Sequence, residues 1–174
     1  MDLIEKIKSR RKPAFKLPPL TCDSHCHVFG PADRFPYAPT RSYTPEDAPK
    51  EALRALHDHL GIQRAVIVQA TCHGTDNAAM LDCIASDPKR YRGVALVDDS
   101  FGDKDYQKLH DGGVRGVRFP FVKHLGSGPD MGVFHRVIDR IKGIGWHVVL
   151  YFNAPDVEPM SEMMKKLPLP FVID

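Results

Sequence analysis

Residues Val114–Phe152 read VRGVRFPFVKHLGSGPDMGVFHRVIDRIKGIGWHVVLYF, and this stretch decides the fold. Val114–Phe119 carries two valines and a phenylalanine among two arginines and a glycine, and His147–Phe152 is apolar after its first residue; valines and aromatic residues over so short a length predict two strands. Between them, Val133, Val137, Ile141 and Ile144 recur at helical spacing, so Gly132–Ile144 reads as an amphipathic helix. A strand as apolar as His147–Phe152 is buried on both faces. A helix joining two such strands is the crossover of a right-handed βαβ unit in a parallel sheet.

The same alternation extends in both directions. Upstream, Lys50–Leu60 predicts a helix, Arg64–Ala70 a strand, Asn77–Asp87 a helix, Gly93–Val97 a strand and Lys104–Asp111 a short helix. Downstream, Val157–Leu167 predicts a helix and Phe171–Asp174 a last strand. With a first strand leading into His25 and His27, the count is six strands in an α/β fold, and nothing repeats beyond the βαβ unit. Eight of the fifteen prolines precede residue 50, and Pro31–Pro49 has no sustained period, so it reads as a long ordered loop. Phe29, Phe35, Tyr37 and Tyr43 favour packing of that loop near a site. The chain divides into a flexible leader, residues 1–20, and one domain, residues 21–174.

Composition removes several classes of function. A net charge of +2 gives no reason to expect a polyanion partner, and the basic cluster from Lys6 to Lys16 reads as part of the solvated leader rather than a nucleic-acid patch. No apolar run approaches the ~18 residues of a membrane span, and the N-terminus has no signal-peptide core. Cys22, Cys26, Cys72 and Cys83 show no Cys-x-x-Cys spacing, and reduced thiols in a cytoplasmic protein are the simplest account.

Polar residues mark the ends of these strands. His25 and His27 lie two apart, so on a strand they share a face. Alternation then puts Gln69 and Thr71 after the second strand, Arg118 on the fourth and Tyr151 on the fifth, all inward and all at C-terminal ends. Parallel α/β folds place their sites at that end, whether the sheet closes or stays open. Two imidazoles can polarise a carbonyl, stabilise an oxyanion or hold part of a metal site. Arg118 offers a fork for a carboxylate, and Thr71, His73 and Tyr151 add donors. A carboxylate base is missing from the set, since Asp23 is expected on the histidine face but deeper, and Asp174 is the last residue. A second His-x-His, His57 and His59, falls on a predicted helix, where the two side chains lie about 200° apart. It reads as a solvated helix end.

The run Asp23–Gly30, Phe35-Pro36-Tyr37, Val68–Asn77, Arg115–Phe119 and Gly145–Phe152 resembles the 2-pyrone-4,6-dicarboxylate lactonases of the amidohydrolase superfamily. The resemblance runs from about Leu20 to Asp174. It implies a TIM-type (β/α)8 barrel, truncated here after about six parallel strands. It also implies hydrolysis of a carboxylated pyrone or related lactone in the breakdown of lignin-type aromatics. By the same resemblance, His25 and His27 are catalytic and help to polarise the lactone carbonyl. Thr71, Arg118, His124 and Tyr151 match substrate-contacting positions of the family, and His73, as a donor beside them, is expected to bind substrate with them. No cofactor is expected, although other members of the superfamily use the same histidine pair for a divalent metal such as zinc. The partner is a small anionic lactone or carboxylate.

Two departures qualify that picture. Pro120 stands where the lactonase pattern has an Asn, and His124 where it has a second carboxylate-binding Arg, so a substrate with a different anionic group is expected to be possible. The pattern also runs past Asp174 into a sixth-strand His and later supplies an eighth-strand Asp as base, in a barrel of about 250 residues. The 174-residue chain is therefore expected to be inactive or weak by itself, and marginal in stability. The alternatives are a metal-dependent hydrolase or decarboxylase of the superfamily, and a non-catalytic remnant that binds small carboxylates.

Overall fold

The structure is a computed structural model that describes residues 2–125 and 128–174. Its elements in chain order are α1 (Leu3–Lys8), β1 (Cys22–Cys26), α2 (Lys50–Leu60), β2 (Arg64–Val68), α3 (Ala78–Ser86), β3 (Tyr91–Ala95), α4 (Asp103–Asp111), β4 (Val114–Pro120), α5 (Met131–Lys142), β5 (His147–Tyr151), α6 (Val157–Lys165) and β6 (Phe171–Ile173). All six strands are parallel and pair in the order β1-β2-β3-β4-β5-β6. Strand order never reverses, so every right-handed crossover puts its helix on the same side, and the sheet curls into part of a barrel wall. An open doubly wound sheet would show a switch point.

The two faces of the wall differ in what fills them. Ala65 and Ile67 of β2, Tyr91 and Ala95 of β3, Val117 and Phe119 of β4, and Val148 and Leu150 of β5 pack with Met80, Cys83, Ile84, Phe134, Val137 and Ile141 from the helices. Val66, Val68, Val94 and Val149 form a smaller cluster on the barrel side. Alternation along each strand therefore sorts side chains into a helix-side core and an interior face.

Local signals account for the helix limits. α5 starts where the Asp130 carboxylate accepts the N–H of Val133, and α2 stops at Gly61, whose φ of 83° is open only to glycine without strain. Predicted elements all occur, with ends displaced by a few residues. β3 begins at Tyr91 rather than Gly93 because Tyr91 is buried against Ala65, with the exposed Arg92 between two core positions. β2 stops at Val68, since a tight 3-10 turn, Thr71–His73, takes the chain away from the sheet.

The proline-rich loop is ordered and packed. Phe29 and Ala48 exchange two backbone hydrogen bonds of 3.0 and 2.8 Å, the Tyr37 hydroxyl donates to Asp47, and Ala38 N–H donates to the carbonyl of Cys72. Within residues 1–20, read from sequence as a leader, α1 carries an Asp2/Glu5 capping box and lies against α2. The cysteines are free, and among the described residues no helix is long and apolar enough to cross a membrane.

Candidate active site

A bulge at the base of β1 sets the orientation of both histidines. β1 spends three residues from Asp23 to Cys26 where β2 spends two from Ala65 to Ile67. The extra residue inverts the phase of the strand. Asp23 and Cys26 consequently share the helix side with Ala65 and Ile67, while His25 and His27, on either side of Cys26, face the interior. The expectation that Asp23 shares the histidine face is corrected here: regular alternation holds only without a bulge. Asp23 Oδ2 instead accepts a hydrogen bond from Nε2 of His57 on α2, at 3.1 Å. His57 is fully buried, so the solvated helix end expected at His57 and His59 is also corrected. The two do point apart, and one of them points into the core.

At the C-terminal rim, four strands contribute to one constellation. The rings of His25 and His27 stand edge to face, 5.0 Å between centroids. His27 Nδ1 lies 2.8 Å from the carbonyl of Val68. A carbonyl only accepts, so Nδ1 carries the proton and Nε2 carries a lone pair. His25 Nδ1 lies 3.0 Å from Asp174 Oδ1, which fixes the same tautomer. Arg118 donates to Asp174 Oδ2 through Nε at 2.8 Å and Nη2 at 2.5 Å, and its guanidinium lies 4.6 Å above the ring of Tyr151. His124, on the exposed 3-10 turn Lys123–Leu125, meets Tyr151 edge to face at 6.0 Å.

The carboxylate judged missing from the sequence is thus present. Asp174 follows the apolar run of β6, and with Val172 it falls on the interior face because Val172 pairs with Val149. The alternation that selects Arg118 and Tyr151 would have selected it. The fork of Arg118 is correspondingly engaged: two of its donors are spent on Asp174, leaving Nη1 for a ligand.

Burial lowers the pKa of His25 below its ordinary value, against an upward pull from Asp174 and with a further downward push from Arg118. Burial lowers His27 as well, against the hydrogen bond to Val68. Both shifts favour the neutral ring, which with Nδ1 protonated offers Nε2 as an acceptor. Among the described residues, no protein group hydrogen-bonds to either Nε2 atom.

Other predicted positions serve the frame. Gln69 continues the helix side of β2 rather than facing inward, because it follows Ile67 by two; its amide holds the carbonyls of Gly74 and Asp76 at 3.2 and 2.7 Å. His73 is buried, with Nε2 accepting from Gly30 N–H and Nδ1 donating to the carbonyl of Pro36, both at 3.2 Å. Its two nitrogens are thereby used in joining the β1 and β2 loops, and none is left for the substrate contact expected of it. Thr71 opens the 3-10 turn half-buried beside them. Asn77, not singled out from sequence, clamps both the N–H and the carbonyl of Leu96.

The residues fit a metal only in part. Two lone-pair nitrogens with anchored Nδ1 atoms suit metal binding, yet a catalytic zinc takes three protein ligands, and the nearest anionic donor, Asp174, is neutralised by Arg118. The described residues therefore make an incomplete metal site. A second donor cluster, Asp23, Cys26 and His57, has ligand atoms within 4.8 Å of one another. It is explained without a cation: Asp23 accepts from His25 N–H and His57, and the Cys26 thiol, pushed up by burial, donates to the carbonyl of Val66.

A curling parallel wall with imidazoles, a carboxylate and a guanidinium at its C-terminal rim has the architecture of an α/β barrel that carries its site at the strand ends. The Amidohydrolase family profile matches residues 22–174, and the chain belongs to that family. It is 52% identical over 163 residues to a 2-pyrone-4,6-dicarboxylate hydrolase of Comamonas testosteroni, covering 94% of this chain and 53% of that protein. It is 35% identical to a 4-sulfomuconolactone hydrolase of Hydrogenophaga intermedia, covering 92% and 53%. A crystal structure from Pseudomonas putida, described as a 2-pyrone-4,6-dicarboxylic acid hydrolase, superposes with a TM-score of 0.74 at 30% identity, covering 91% of this chain and 57% of that one. The chain spans about half the length of the curated relatives it matches.

Proposed function

We propose that this chain supplies the catalytic wall of a hydrolase that opens a small carboxylated lactone, a pyrone dicarboxylate or a close analogue, in the degradation of aromatic compounds. The observation that carries the reading is the pair of imidazoles with Nδ1 anchored and Nε2 unengaged, beside Asp174, Arg118 and Tyr151. The names of the relatives at 52% and 35% identity support the substrate class.

His25 serves as general base. Its Nε2 takes a proton from water as the water oxygen attacks the lactone carbonyl carbon, and Asp174 stabilises the imidazolium that results. His27 Nε2 is a second acceptor for orienting that water. Arg118 Nη1 and the Tyr151 hydroxyl are donors for the oxyanion or a substrate carboxylate, with Thr71 and His124 at the rim. As the ring C–O bond breaks, the leaving oxygen takes the proton held on His25. The resemblance to lactonases implies that His25 and His27 polarise the lactone carbonyl; a neutral ring protonated at Nδ1 cannot donate from Nε2, so the role of His25 is proton transfer instead.

Loss of pyrone absorbance on incubation with 2-pyrone-4,6-dicarboxylate tests the reading. His27→Ala should lower the rate by roughly 10²-fold or more. An unchanged rate would overturn the assignment, and unchanged turnover of the parent after chelator treatment would support the route without a metal.

A further inference from the structure

His57 is on an outer helix and takes no direct part in the chemistry proposed above, yet it is fully buried. Its Nε2 donates to Asp23 Oδ2 at 3.1 Å, and Asp23 Oδ1 accepts the backbone N–H of His25 at 3.2 Å. One carboxylate therefore ties α2 to the backbone of the first rim histidine. The tie falls inside the bulged segment, where β1 spends an extra residue and its regular pairing with β2 is interrupted. A bulge leaves backbone groups without ladder partners, and Asp23 takes up one of them. Orientation depends on the same bulge, because a one-residue slip that removed it would exchange the faces of Asp23 and the histidines.

We propose that Asp23 and His57 are positioning residues that hold the β1 bulge, and with it the inward orientation and tautomer of His25 and His27. Cys26 shares this pocket but needs no role in the device. The kinetic consequence rests on the lactone hydrolase reading; the structural consequence does not.

The test uses the full chain with 15N-labelled histidine and long-range 1H–15N spectra, which report which ring nitrogen carries the proton. In the parent, His27 should show one tautomer, protonated at Nδ1. His57→Leu and Asp23→Ala should each give mixed tautomers at His25 or His27, while His57→Gln, whose amide can still donate to Asp23, should restore the parent spectrum. For lactone opening, His57→Leu should lower kcat by about 10- to 100-fold with KM changed less than about threefold, as expected for misplaced reacting groups. A folded His57→Leu protein with parental histidine spectra would overturn the proposal. Should His57→Leu fail to fold, Asp23→Ala decides by the same spectra. A parent without lactone activity would remove the functional reading, and the tautomer result would still decide this one.

Discussion

His27 shows how much of the site depends on a single proton. Its Nδ1–H is committed to the carbonyl of Val68, so the nitrogen left unengaged is Nε2, and burial favours the neutral ring. Folding therefore opposes protonation of His25, His27 and also His147, whose pKa burial likewise lowers. The unfolded chain binds these protons near pH 6.5 and the folded chain only at lower pH, so stability is complete above about 6.5 and falls as pH drops through the window below it. Urea midpoints should be level from about pH 8 to 7 and decline toward about pH 5, and His27→Gln should shallow that decline. Asp174 acts in the opposite direction, raising the His25 pKa. Asp174→Asn should lower it further in an NMR titration and reduce lactone opening by about 10²-fold, since the imidazolium loses its partner. A His25 titration unmoved by that change would contradict the geometry of the rim.

The elements that carry the rim are held by the core between sheet and helices. Phe134 on α5 is fully buried and meets Phe119 and Phe121 edge to face, with centroids 4.9 and 5.9 Å away. Phe134→Ala should cost about 3–5 kcal/mol in a urea melt, because the removed ring leaves a cavity beneath the strand that bears Arg118. A loss under about 1 kcal/mol would mean that α5 repacks freely. At this level the sequence was largely legible. α2 has the limits its periodicity predicts, and the remaining helices and strands differ by a few residues at their ends. Periodicity survives because helices α2 to α5 each hide an apolar stripe and the central strands β2 to β5 are largely buried. The β1 bulge was not legible, since an inserted residue leaves the apolar pattern unchanged and shows only in the pairing with β2.

At the level of the whole molecule, the wall has two edges, β1 and β6, and among the described residues neither has an outer strand partner. Phe171, Val172 and Ile173 are 40%, 50% and 53% exposed on β6. An apolar open edge is a template for pairing with another chain. Light scattering of the 174-residue chain should therefore rise with concentration, and Ile173→Lys should suppress that rise. A monomer at all concentrations with a sharp urea transition would show that the edges are tolerated.

The residue types alone determined the parallel α/β architecture, the family resemblance and the rim positions of His25, His27, Arg118 and Tyr151, because burial periodicity and strand polarity are written into local order. Only the tertiary structure decided that Asp23 faces α2, that His57 is buried, that His73 braces two loops, and that Asp174 joins His25 to Arg118. Each of these is a pairing across 34 to 149 positions of chain, made when strands and helices pack together, and no local pattern encodes the partner.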